Sequence, residues 1–201
     1  MNRLDTFATP IWMRDLLELE PLRLAWVELV RERRRQTPTA ERRSNRVGWQ
    51  SNADLLDGPE LAPLRQALLV AVKEALGDHG VKPGSLVLNL SGWANVHERG
   101  GHNVPHVHEG CILSGTVYLH APPGSGALYF ADPRPAALME GFARVQPVSS
   151  SASRGYTKFV VEPRNLLLVM FPSWLSHGVE TCECDERISI AFNVHPALAR
   201  P

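Results

Sequence analysis

Pro105-His106-Val107-His108 lies at the centre of a stretch, Trp93 to Leu119, in which apolar runs alternate with glycine-rich turns. Read as a β-strand, the segment places His106 and His108 at i and i+2, so both imidazoles leave the same face of a sheet. Two neutral imidazoles side by side are costly to bury unless something engages their lone pairs, and a divalent metal does so. A third histidine, His177, follows far downstream in Phe171-Pro172-Ser173-Trp174-Leu175-Ser176-His177, after an apolar run that reads as another buried strand. Ten residues further on comes Arg187-Ile188-Ser189.

The sequence around this stretch predicts a β-rich body. After Pro83, short apolar or alternating runs recur: Leu86 to Leu90, Trp93 to His97, Ile112 to Leu119, Ala127 to Phe130, Thr157 to Val161, Leu166 to Phe171 and Ile188 to Val194. Gly100-Gly101, Pro122 to Gly126 and Glu162 to Asn165 separate them. Many short strands at this spacing mean an antiparallel sandwich or barrel. Asp132 to Arg154, rich in Pro, Ala and Ser, is the longest irregular segment, of the kind used as lids or insertions.

Before Pro83 the texture is helical. Ala8 to Trp12 reads as an edge strand limited by Pro10. From about Arg14 to Arg35, Leu16, Leu19, Leu22, Trp26 and Val30 mark one helical face, with Pro21 breaking or restarting the helix near Glu20. Thr37 to Ser44 reads as a loop and Val47 to Ser51 as a short ordered segment. A second helix is expected from Pro59 to Leu76, stopped by Gly77 and Gly80. Helices first and strands afterwards fit an α+β class, mainly β, with residues 1–82 as a helical elaboration on one domain whose β-core spans 83–201.

Composition bounds the function. Lys+Arg and Asp+Glu both total 21 of 201 residues, so no global field draws nucleic acid or an anionic membrane. Arg31, Arg33, Arg34, Arg35, Arg42, Arg43 and Arg46 form a basic cluster, readable as a nucleic-acid patch or as a solvated helix end that complements the helix dipole. Cys111, Cys182 and Cys184 are odd in number and carry no zinc-ligand spacing. Without an apolar leader or a run of ~20 apolar residues, the expectation is a soluble cytoplasmic protein, its oligomeric state open and a homodimer among the options.

Of eight histidines, His79, His97, His120 and His195 read as surface or packing residues, and His102 as a ligand or a solvated side chain. With His106, His108 and His177 the pattern is H-x-H, a long gap, H, then R-x-S. Ala94 to His108, together with Leu113 to Leu119, Phe130 to Arg134, Phe171 to His177 and Arg187 to Asn193, resembles the Fe(II)/2-oxoglutarate-dependent oxygenases, in particular a bacterial and phage branch. The resemblance covers about residues 47–195 and implies a double-stranded β-helix (jelly roll, cupin-like) with iron between its sheets.

The resemblance further implies His106 as the first ligand and His177 as the distal one, with Fe(II) and 2-oxoglutarate as cofactors. Arg187 would pair with the distal carboxylate of 2-oxoglutarate, joined by Ser189, since a guanidinium meets a carboxylate in a planar two-bond fork. A surface salt bridge from Arg187 to Glu183, Asp185 or Glu186 is the competing reading. Tyr118 would donate to the same carboxylate or simply fill the core, and Asn95 would hydrogen-bond the cosubstrate. Trp93, Phe171 and Trp174 would wall the site.

Where the family carries a carboxylate after H-x, this chain carries His108. Three readings stand: a three-histidine site; a carboxylate from Glu109 by way of a bulge; or His106 and His177 alone with water. The activity so implied is hydroxylation of a small molecule or peptide, with 2-oxoglutarate decarboxylated to succinate. The rivals are a three-histidine cupin-type metalloenzyme that does not use 2-oxoglutarate, and a non-catalytic metal-binding jelly-roll module.

Overall fold

The computed structural model describes residues 2, 6–39, 44–82, 84–135 and 158–198. Two helices precede most of the strands. α1 spans Glu20–Gln36 and α2 spans Ala62–Asp78. The strands are β1 (Trp12–Asp15), β2 (Asn45–Arg46), β3 (Trp49–Gln50), β4 (Leu86–His97), β5 (His102–His106), β6 (Leu113–His120), β7 (Leu128–Ala131), β8 (Lys158–Val161), β9 (Leu167–Pro172), β10 (His177–Val179) and β11 (Arg187–Leu198). Six form one sheet in the order β1-β9-β6-β11-β4-β3, and five form the other, β2-β5-β10-β7-β8. Every paired strand runs antiparallel. This is the double-stranded β-helix that the sequence resemblance implies.

The six-stranded sheet is covered on both faces. On β9, Leu168 and Met170 join the helix-side core with Trp26, Leu64, Leu68 and Val72, while Leu167, Val169 and Phe171 point between the sheets. A strand buried on both sides reads as an unbroken apolar run, as Leu167 to Phe171 does. On β11 the alternation is chemical. Ile188, Ile190 and Val194 face the helices, whereas Arg187, Ser189 and Ala191 face the interior between the sheets.

The helices differ from expectation at their ends. Residues 12–15 form an edge strand paired with β9, and the helix expected from Arg14 begins at Glu20. Pro21 sits in its first turn, where the missing N–H costs nothing. The edge strand thus lies slightly later than Ala8 to Trp12. α2 passes through Gly77, which stays helical, and ends at Asp78, two residues before Gly80 turns the chain at φ 72. The runs Leu86 to Leu90 and Trp93 to His97 are one strand, paired residue for residue with β11. Val47 and Gly48, at φ 51 and 147, turn the chain between β2 and β3. Nearly all of the irregular Asp132 to Arg154 segment lies outside the described residues.

Three arginines of the basic cluster are held in ion pairs. Arg31 pairs with Glu28 and Glu186, Arg34 with Glu98 at 2.7 Å, and Arg35 with Glu32 at 2.7 Å. Arg42 and Arg43 lie outside the described residues. No helix among the described residues is long and apolar enough to cross a membrane.

Candidate metal centre

His106 ends β5 and His177 opens β10, and the two are direct partners in the antiparallel ladder. His108 lies two residues past the end of β5, so the H-x-H pair is not carried on one strand as expected. Its backbone N–H donates to the Ser173 carbonyl at 2.9 Å, which ties this loop to the turn ahead of His177. The result is the same convergence by a different route. One ring nitrogen from each histidine lies within 4.8 Å of the others, and Nε2 of His108 is 3.3 Å from Nε2 of His177. Among the described residues this is the one group of three or more metal-ligating side chains.

Two of the rings are oriented by their own backbone. Nδ1 of His106 donates to the Val104 carbonyl at 2.8 Å, and Nδ1 of His177 donates to the Leu175 carbonyl at 2.9 Å. Each bond places the proton on Nδ1 and leaves the Nε2 lone pair for the centre of the cluster. Burial pushes His177 down to about 3, reinforced by repulsion from the neighbouring imidazoles, and burial lowers His106 as well. Both are therefore neutral at pH 7, the state in which imidazole binds metal. Phe171 packs against His177 with ring centroids 4.5 Å apart, and Trp93 lies 5.9 Å from His108. Trp174, expected in the wall, is 55% exposed and does not line the cavity. Glu109 is exposed and outside the cluster, and His102 turns its Nδ1 to the Gly100 carbonyl.

The cluster opens into a cavity of about 60 Å³ between the sheets. A water needs ~10–15 Å³ of such space, so the cavity has room for several waters or a small organic acid. Arg187, Ser189, Tyr118 and Asn95 line it, supplied by β11, β6 and β4 of the six-stranded sheet, opposite the sheet bearing His106 and His177. Asn95, expected to reach the cosubstrate, thus faces His106 across the sandwich.

Arg187 is 2% exposed. Its Nη1 reaches only the Ser125 and Gly126 carbonyls, each at a long 3.5 Å, and its Nε has no partner. Its acidic sequence neighbours point elsewhere: Asp185 pairs with Arg99 and Glu186 with Arg31. Desolvation pulls the Arg187 guanidinium below its usual range. The Tyr118 hydroxyl and Asn95 Oδ1 are also buried without partners, and burial pushes the Tyr118 phenol up to about 12.

A buried guanidinium without a carboxylate, flanked by an unused hydroxyl and an unused amide oxygen, is an unsatisfied polar pocket. A small carboxylate acid fits it, and three imidazole lone pairs fit a divalent ion with positions left open.

Sequence reasoning missed one member of this neighbourhood. His97, read as surface or packing, is 1% exposed, with Nδ1 unpartnered. Burial, assisted by Arg187, drives it down to about 3. Its signal was its place on the Trp93 and Asn95 side of a strand with period two.

Comparison with known proteins agrees with this fold. The family described as "Putative 2OG-Fe(II) oxygenase" matches residues 91–193. No curated protein sequence matches the chain. Among solved structures, a prolyl-4-hydroxylase from Pseudomonas putida is 16% identical, with a TM-score of 0.65 over 94% of this chain and 93% of the other. HygX from Streptomyces hygroscopicus, solved with nickel and 2-oxoglutarate bound, is 16% identical with a TM-score of 0.61 over 94% and 84%. A prolyl hydroxylase from Trichoplax adhaerens, solved with a hypoxia inducible factor peptide fragment, is 11% identical with a TM-score of 0.62 over 94% and 84%. With its match spanning β4 to β11, the chain belongs to the family of Fe(II)- and 2-oxoglutarate-dependent oxygenases.

Proposed function

We propose that His106, His108 and His177 hold ferrous iron, and that Arg187 and Ser189 receive the distal carboxylate of 2-oxoglutarate, in an oxygenase that hydroxylates a small molecule or peptide. The observation that carries this reading is the Arg187 guanidinium, buried without a carboxylate partner among the described residues in the cavity onto which the three imidazoles converge. Bound together, iron and 2-oxoglutarate would supply the oxidation with O2 as oxidant, one oxygen atom passing to the oxo acid as it yields succinate and CO2 and the other to a C–H bond of the substrate.

The protein's own residues do the positioning. Arg187 engages the carboxylate through two parallel N–H donors, a geometry that lysine does not reproduce. The Tyr118 hydroxyl, held protonated by burial, donates to the same group, and Asn95 adds a polar contact from the neighbouring strand. The Val104 and Leu175 carbonyls fix the His106 and His177 tautomers before any metal arrives. Trp93 and Phe171 wall off water on the imidazole side. With three neutral ligands the site is one charge more positive than a two-histidine, one-carboxylate set, so it retains Fe(II) less tightly.

The substrate reading follows the named relatives, one solved with a peptide fragment and HygX solved also with hygromycin B bound. Placement in the cytoplasm goes with three free thiols. Anaerobic addition of Fe(II) and 2-oxoglutarate tests the proposal: a metal-to-ligand charge-transfer band is expected, and His177→Ala abolishes it. Absence of the band, together with no succinate formed in air, overturns it. A three-histidine enzyme that does not use 2-oxoglutarate would instead keep its metal binding and turnover in Arg187→Ala.

A further inference from the structure

Close to Arg187, in the link that leads into β11, lie two thiols that the proposed chemistry does not use. Cys182 and Cys184 occupy the link between β10 and β11, with their sulfurs 3.2 Å apart. Cys182 is buried and Cys184 only partly so. Backbone bonds lace this link to its surroundings: Cys182 N–H donates to the Gly101 carbonyl at 2.8 Å, while Glu183 and Cys184 donate to the Gly124 carbonyl at 2.7 and 3.2 Å. The Ser125 hydroxyl sits 3.7 Å from the Cys184 sulfur. The next carbonyls along that turn, Ser125 and Gly126, are the two that hold the Arg187 guanidinium.

We propose that Cys182 and Cys184 form an oxidisable dithiol that takes a hydroperoxide as oxidant and closes to a disulfide, loosening the hold of Arg187 on its carboxylate ligand. The last clause rests on the function proposed above; the disulfide does not. Residues at i and i+2 of an extended chain lie ~6.7 Å apart at Cα, inside the range that a disulfide spans.

The chemistry balances in two steps. The Cys184 sulfur, the one that solvent reaches, attacks the peroxide oxygen; the O–O bond breaks, the peroxide leaves as an alcohol or water, and Cys184 becomes a sulfenic acid. The Cys182 sulfur then attacks Cys184, the S–O bond breaks, and the Cys182 proton leaves with the hydroxide as water. Two thiols lose two electrons, and the peroxide gains them. Burial pushes the Cys182 thiol up to about 11, so it is not itself the first target and acts as the resolving partner held in place. Closure draws sulfurs 3.2 Å apart to about 2.05 Å, which moves Cys184 relative to the Gly124–Gly126 turn and the two carbonyls steering Arg187.

The test uses the full chain, metal-free during oxidation so that no iron reacts with the peroxide. Hydrogen peroxide is added, quenched with catalase, and the thiols are alkylated and mapped by mass. The expected result is a 2-dalton loss confined to the peptide carrying Cys182 and Cys184, reversed by dithiothreitol, with Cys111 alkylated as before. In Cys182→Ser, oxidation stops at a dimedone-trappable sulfenic acid on Cys184. Both thiols remaining alkylatable under these conditions overturns the disulfide.

Calorimetry with Ni(II) and 2-oxoglutarate then compares the two forms, with binding expected to be roughly tenfold weaker after oxidation and restored on reduction. Equal affinity overturns the link to Arg187. A reduced protein that binds Ni(II) but no 2-oxoglutarate overturns the proposed function and that link together, while the mass loss still decides the disulfide.

Discussion

Arg187 lies directly opposite His97 in the β4–β11 ladder, so a buried cation and a buried imidazole share one end of the interior face. The guanidinium disfavours charge on the imidazole, and neither meets a carboxylate among the described residues. Arg187 cannot shed its proton at physiological pH, so His97 remains neutral.

That relationship predicts an acid sensitivity. The His97 pKa is held near 3 in the folded chain against 6.5 when exposed, so between those values the unfolded state binds the extra proton. Stability is therefore complete above about pH 6.5 and declines as pH falls toward 3, by up to ~1.4 kcal/mol per pH unit from this residue. Chemical denaturation between pH 4 and 7 measures it. His97→Asn is expected to flatten the slope, and an unchanged slope would remove His97 from the account.

Replacing the guanidinium separates stability from binding. Arg187→Leu removes an uncompensated buried charge and is expected to leave the ligand-free protein as stable or more so, by about 1–2 kcal/mol. The same variant loses 2-oxoglutarate binding by more than tenfold, as does Arg187→Lys, which keeps the charge without the fork. Thermal melts with and without 2-oxoglutarate and Ni(II) report both effects. A less stable Arg187→Leu would mean that the guanidinium is satisfied in the free protein.

The missing carboxylate can be put back. His108→Asp supplies an anion where the family pattern has one, and Fe(II) retention is expected to rise severalfold over the native chain under anaerobic dialysis. If iron is held no better, the ion does not sit at His108.

Gly126 makes a local prediction. At φ 76 its backbone adopts a conformation that side chains disfavour, and a Cβ there would stand 2.3 Å from the Glu180 carbonyl oxygen. Gly126→Ala is expected to cost about 1–3 kcal/mol and to weaken 2-oxoglutarate binding, because the Gly126 carbonyl helps steer Arg187. Urea denaturation and ligand titration measure the two losses.

Much of this was legible in the order of residues. The β-rich half showed because its strands are short, apolar and punctuated by glycine and proline. Arg187 and Ser189 share a face because strands have period two, and the structure turns that face inward. The i, i+2 spacing of His106 and His108 pointed to convergence, although His108 lies beyond the strand, positioned by a backbone bond to Ser173 that no local pattern encodes. His97, read as surface or packing, shares one side of β4 with Trp93 and Asn95 by the same period, but which side of a strand is buried is decided by the opposing sheet. Trp174, expected to wall the site, instead faces outward.

One consequence concerns how the two layers are held together. His106 and His177 belong to the five-stranded sheet, while Arg187, Ser189, Tyr118 and Asn95 belong to the six-stranded one. A molecule that chelates an ion at one wall and meets the guanidinium at the other is a rivet through the sandwich. Loading the protein should therefore slow amide exchange on the short strands β5 and β10 more than on the long β4–β11 ladder, whose other face is already packed against the helices.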